Sequence, residues 1–245
     1  MAIAMKYLIS LTALTFWGLS MLSFAEDTGS PVLSEYEVRY ETTAMGFGIT
    51  LTRTLSKDHE TYTLRNAGEI FVASIEEKAI FSVEDDHIIG QDFFYRLTGL
   101  VRRKREVHFD REAGVIRSLR KGEWSEHPWQ DNVLDRLSQQ EQLRLTLLSA
   151  ETPPETLSFE VVDGERIKSR QLALVGEEII DTAVGQLDTV RYRRVFDDPE
   201  ERASDIWLAK DFDYVMVLTR HDEDGTDIEI SLKDGTIDGR PLEGS

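Results

Sequence analysis

The sequence predicts an all-β fold: a single large curved antiparallel sheet, a half-barrel or open barrel, covered by one central helix. From Ser34 onward, apolar and polar residues alternate at period two over short segments separated by turn chemistry. One segment, residues 131–150, breaks that rhythm with strong helix formers. Its apolar stripe needs a surface, and an open sheet face supplies one.

The first strand sets Tyr36, Val38 and Tyr40 on one face against Glu35, Glu37, Arg39 and Glu41 on the other. Ile49, Leu51, Arg53 and Leu55 repeat the pattern against Thr50, Thr52 and Thr54, and Gly46 and Gly48 suit the reversal between the two strands. Further strands are expected at 61–65, 69–75, 79–84, 92–97, 101–110 and 115–121, with turns at Lys57-Asp58, Asn66-Ala67-Gly68 and Ala113-Gly114. Residues 122–130, with Pro128, read as a loop. In the helix over about 131–150, Val133, Leu134, Leu137, Leu143, Leu145, Leu147 and Leu148 are apolar, Asp131 is the expected cap and Pro153-Pro154 the stop. The strand pattern resumes at 157–163, 166–175, 178–182, 189–196, 203–209, 214–221 and 226–232, with hairpin turns at Asp224-Gly225 and Asp234-Gly235. The polar tail from Asp238 to Ser245 is expected to fray. Without an internal repeat or a long linker, residues 26–245 are expected to form one domain.

Composition narrows the function. The 245 residues are 40% apolar and 30% charged, as in ordinary globular chains. With 28 Lys and Arg against 46 Asp and Glu, the net charge is -18, which repels a phosphate backbone and argues against nucleic acid as a partner. No Cys is present, which excludes disulfides, thiolate metal sites, a cysteine nucleophile and a lipidated N-terminal Cys. At the N-terminus, Lys6 precedes an uncharged run from Tyr7 to Ala25, with small Ser23 and Ala25 before acidic Glu26 and Asp27. This is the pattern of a signal peptide over 1–25, cleaved to leave Glu26 first; Met5, directly before Lys6, is an alternative start. The mature protein is expected to be soluble and periplasmic.

Several segments of the second half carry a resemblance. They are Val162-Asp163-Gly164, the run from Gly176 through Glu177, Glu178 and Asp181 to Val190, and Ile206-Trp207-Leu208-Ala209-Lys210-Asp211; Asp135-Arg136-Leu137-Ser138 joins them from before the helix. Together they resemble a bacterial envelope family, domain of unknown function 3108, over about Tyr36 to Leu232. The segment Tyr214 to Leu218 departs from it in lacking a Pro. The resemblance implies an exported β-rich domain, a half-barrel related in shape to envelope proteins that hold lipid tails, and implies no established activity.

Candidate chemistry is sparse. His59, His87, His108, His127 and His221 fall at no metal-binding spacing, so no metal and no cofactor is expected. No Gly-x-Ser-x-Gly elbow occurs. Acidic clusters at 84–86, 197–201 and 222–227 could offer oxygens to calcium, but the third puts Gly225 where an EF-hand needs an acidic ligand and is explained by an Asp-Gly hairpin. Among so many acids no pair is singled out for glycoside hydrolysis. The basic run Arg102-Arg103-Lys104-Arg105 stands out. In a strand over 101–110, Arg103 and Arg105 share the face of Val107 and Phe109. Arg191 and Arg193 form a second pair. Such guanidinium groups either grip an anionic head group or pair across strands with the abundant acids. Trp124 and Trp129, just before the helix, either close a lid over the sheet or pin the helix down.

The expected function is therefore a non-enzymatic binding or carrier module for an apolar or amphiphilic envelope ligand, with Arg103, Arg105, Arg191, Arg193, Trp124 and Trp129 as candidate contacts. The alternatives are a structural or regulatory partner of an envelope protein, acting by strand addition, and a glycan-active enzyme using dispersed carboxylates.

Overall fold

The computed structural model describes residues 32–44, 47–70, 73–99, 102–196, 204–223 and 226–245. The expected signal peptide over 1–25 and the acidic cluster at 197–201 lie outside them. The described chain forms one 16-stranded sheet, one α-helix and a short 3-10 turn at Lys210–Phe212.

The first meander runs β1 (Tyr36–Ala44), β2 (Phe47–Asp58), β3 (Thr61–Ile70), β4 (Ala73–Glu84), β5 (His87–Gly99), β6 (Arg103–Asp110), β7 (Val115–Arg120) and β8 (Glu123–Pro128). A short β9 (Val133–Leu134) then leads into α1 (Ser138–Ser149). The second meander runs β10 (Thr156–Asp163), β11 (Arg166–Thr182), β12 (Gly185–Val195), β13 (Ser204–Ala209), β14 (Val215–Glu223) and β15 (Thr226–Ile237), with β16 (Arg240–Pro241) paired to β15. Antiparallel pairing of β1 with β15 joins the meanders, leaving β8 and β9 at the two ends of the sheet. Only residues 129–132 separate those ends in sequence. Four residues span at most about 3.5 Å each, so the sheet must curl until its edges nearly meet. β9 pairs in parallel with β10, and α1 supplies the crossover a parallel pair requires.

The curled sheet encloses α1. Seven of its twelve residues are buried, among them Glu141, Gln142 and Arg144. These polar groups tie the helix to separate parts of the sheet. The Tyr36 hydroxyl donates to Glu141 at 2.7 Å, Gln142 accepts from the Ile88 backbone at 2.7 Å, and Arg144 Nε donates to the Asp213 carbonyl at 3.0 Å. Arg144 also forms a 2.5 Å ion pair with Glu141 and lies over the Tyr36 ring. Tyr192, Phe81, Leu64 and Leu145 are among the fully buried side chains of the core around it.

Several local expectations are corrected. The helix begins at Ser138, not Asp131, because Val133 and Leu134 are drawn into the sheet as β9. Asp131 accepts instead from the Trp129 indole at 3.0 Å, and the residue that caps the backbone is Asp135, whose Oδ1 accepts from Leu137 and Ser138 at 2.7 and 2.9 Å. Residues 123–128 form β8, with Pro128 where an edge strand tolerates the missing N–H. Asn66-Ala67-Gly68 is continuous strand, since Asn66 pairs across to both Arg53 and Glu77. Asp234-Gly235 also stays in strand. A bulge opposite Arg39 and Tyr40 absorbs the extra residue, and a Cβ on Gly235 would sit 2.6 Å from Val38 Cγ1. The expected Asp224-Gly225 turn falls outside the described residues, although Glu223 and Thr226 on either side are paired. The tail does not fray. Leu242 is buried, and Gly244 donates to the Val184 carbonyl at 2.8 Å.

Candidate functional site

A cavity of about 370 Å³ lies between α1 and the inner sheet face, a volume in the range of small-molecule sites. Leu51, Ile75, Leu143, Phe159, Leu172 and Met216 give it an apolar wall. Into the same space face four arginines, Arg53 on β2, Arg136 before α1, Arg170 on β11 and Arg194 on β12.

Two of these arginines are held in a ladder. Arg53 Nε donates to Asn66 at 2.7 Å and its Nη1 to Gln140 at 2.6 Å, while Asn66 donates to Glu77 at 3.0 Å. Arg136 lies 3.3 Å from the other Glu77 oxygen and over the Tyr95 ring. This row follows from register, because Arg53, Asn66, Glu77, Tyr95 and Arg105 are consecutive cross-strand neighbours on β2 through β6. Arg170 differs. Its side chain makes no hydrogen bond or ion pair among the described residues, and its buried Nε has no partner. Burial, then the charges of Arg194, Arg136 and Arg105, push its pKa down to about 10, with Asp163 opposing. Arg105 is lowered too, first by burial and then by Arg136.

Asp163 sits where the two ends of the sheet approach. It accepts from Arg120 at 2.9 Å and lies 3.5 Å from Arg105. Next to it, Gly164 donates its backbone N–H to Ser118 Oγ at 2.9 Å, and its carbonyl lies 2.8 Å from His127 Nε2. Gly164 adopts φ +66°, and a Cβ there would come within 2.8 Å of the Arg120 side chain. The β10–β11 tip thus docks on β7 and β8 through polar side chains.

The six residues singled out from sequence lie around this site without lining it. Arg103 is exposed at the start of β6. Arg105 is partly buried over Tyr95, beside the cavity. Arg191 and Arg193 point from the opposite face of β12 and share Asp205: Arg193 Nε and Nη2 donate at 2.7 and 2.9 Å, Arg191 Nη2 at 2.6 Å. Burial alone would raise the Asp205 pKa, but the two guanidinium groups outweigh it and lower it. Trp124 is half exposed on β8 and stacks on His108, and Trp129 packs at the margin of the core beneath Arg111. Sequence reasoning missed Arg53, Arg136, Arg170 and Arg194 as cavity residues. A signal existed for Arg53, which falls in the apolar series of its strand, and for Arg170, two positions before Leu172 on the same face.

The segments that carry the family resemblance have structural roles here. Trp207 donates to Glu178 at 2.7 Å and is flanked by Arg191 and Arg220, while Lys210 binds Glu177 at 2.8 Å and Asp188 at 3.0 Å. Asp135 and Ser138 organise the start of α1. Among the described residues no cluster of His, Asp and Glu has the arrangement of a metal site, and no helix is long and apolar enough to cross a membrane.

A wrapped, incompletely closed sheet around a helix and an arginine-bearing cavity defines a β-barrel-like protein. The chain belongs to the family described as protein of unknown function DUF3108, matched over residues 35–240. Its fold is similar to that of the "Beta-barrel-like Protein of Domain of Unknown Function DUF1849" from Brucella abortus, at 9% identity and a TM-score of 0.51, covering 84% of this chain and 98% of that one. No curated protein matches the sequence.

Proposed function

We propose that this protein is an exported, periplasmic binding or carrier module, non-enzymatic, whose ligand is an amphiphilic molecule of the envelope seated between α1 and the inner sheet face. The observation that carries this reading is the cavity wall, which joins a continuous apolar surface to four arginines in a chain of net charge -18. Arginines facing inward across so acidic a molecule suit a ligand with an apolar body and an anionic end. The acids nearby favour this over hydrolysis, since in the cavity Glu77 is engaged by Arg136, and on the outer face Asp205 is engaged by Arg191 and Arg193. Strand addition at β8 is the second reading, because β8 ends the sheet. Glu123, Glu126 and Pro128 there are the residues with which sheet edges discourage pairing.

Native mass spectrometry with organic extraction, on protein purified gently from the periplasm of its own host, tests the proposal. The expected result is a mature chain beginning at Glu26 with a discrete bound mass that extracts as an amphiphile. An empty protein that retains a second polypeptide would overturn it in favour of the partner reading.

A further inference from the structure

The charge around Arg170 goes further than a general preference for amphiphiles. Arg170 extends from β11 opposite Phe159, with Leu172 next on the same face, so a cationic group and an apolar wall adjoin on one strand. Arg136 reaches the cavity from the segment before α1, and Arg105 and Arg136 lie 5.8 and 5.2 Å from the centre of the same Tyr95 ring. Three guanidinium groups from three separate elements therefore gather at one end of the cavity. The Asp163 carboxylate beside that gathering is shared by Arg120 and Arg105, and Glu77 is engaged by Asn66 and Arg136. Arg170 retains a buried Nε without a partner. Such a donor is costly to leave unmade and is satisfied when an oxyanion arrives.

We propose that this end of the cavity is a phosphate subsite, at which Arg170 is the primary ligand-binding residue and Arg136 and Arg105 add charge. The inference rests on the amphiphile reading and names its head group. A planar carboxylate presents its acceptor sites in one plane, which suits guanidinium groups arriving within that plane, as Arg191 and Arg193 do at Asp205. A tetrahedral phosphate presents oxygens in several directions and suits cations converging from β6, β11 and the segment before α1. Phe159 and Leu172 then take the first part of an acyl tail.

The test measures binding by titration calorimetry to the full mature chain with three compounds: dihexanoyl phosphatidate, inorganic phosphate and the neutral amphiphile decyl maltoside. The expected order is phosphatidate tightest, at least tenfold tighter than either of the others. Arg170→Gln should weaken phosphatidate and phosphate at least tenfold and leave decyl maltoside within twofold. Arg170→Lys, which keeps the charge but not the fork, should recover part of the loss, and Arg103→Gln, an exposed control, should change nothing. Thermal melts establish that each variant folds, and the three-compound comparison on the unmodified protein needs no variant. Phosphatidate binding no tighter than decyl maltoside, or unaffected by Arg170→Gln, would overturn the phosphate subsite while leaving the amphiphile reading in place. Phosphate binding as tightly as phosphatidate, with decyl maltoside not bound, would retain the anion site and overturn its lipid source together with the carrier function.

Discussion

Arg193 and Arg194 are neighbours in β12, yet they belong to different environments. Arg193 points to the outer face, where it and Arg191 clamp the Asp205 carboxylate. Arg194 points inward and lines the cavity together with Arg170. Consecutive side chains of a strand must face opposite ways, so one step in sequence separates a surface ion-pair network from a candidate ligand site. The outer network provides its own counter-charges within two adjacent strands. Inside, Glu141, Gln142 and Arg144 of α1 each reach a residue distant in sequence. The outer carboxylate is thus neutralised within two strands, whereas the Arg170 side chain in the cavity has no ion pair among the described residues.

The largest effect should come from breaking the interior network at its centre. Arg144→Met leaves Glu141 buried without its cation, and removing one partner of a buried pair costs about 3–5 kcal/mol. Urea denaturation should show that loss; a change under about 1 kcal/mol would mean that α1 is less enclosed than its burial indicates.

Next comes the pH dependence of Asp135. Burial raises its pKa from 3.8 to about 6, against the lowering effect of its hydrogen bonds from Ser138 and Leu137. A carboxyl raised in the folded state binds protons more tightly there than in the unfolded chain. Its favourable contribution is therefore complete below about pH 4 and is lost as the pH rises through about 6, to the extent of roughly 3 kcal/mol. Asp135→Asn keeps an oxygen to accept from Leu137 and Ser138, and should flatten the stability profile between pH 4 and 6. An unchanged profile, measured by denaturation across that range, would show that Asp135 is not the titrating group.

The smallest effect is expected outside. Arg193→Gln leaves Asp205 bound to Arg191 and removes a half-exposed partner, so stability should fall by less than about 1 kcal/mol. Ligand content should not change. A loss of bound ligand in this variant as large as in Arg170→Gln would erase the distinction between the two faces.

Period-two alternation by itself determined that the chain is β-rich, and one Leu-rich segment determined that a single helix interrupts it. Both signals are local, because strand and helix periods are written in neighbouring residues. Acidic composition and the absence of Cys likewise restricted the chemistry without reference to a structure. Tertiary structure decided the rest. Whether Asn66-Ala67-Gly68 and Asp234-Gly235 turn or continue depended on the strands beside them. So did the start of α1, since Val133 and Leu134 had a sheet edge to join. Asp163, Arg105 and Arg170 are brought near one another by the curl of a sheet whose two ends are separated by only four residues of chain. Sequence marks an arginine as inward or outward relative to its own strand. Which other strands face it across the interior is set by closure of the whole sheet, and that is why Arg170 and its cavity emerge only from the folded chain.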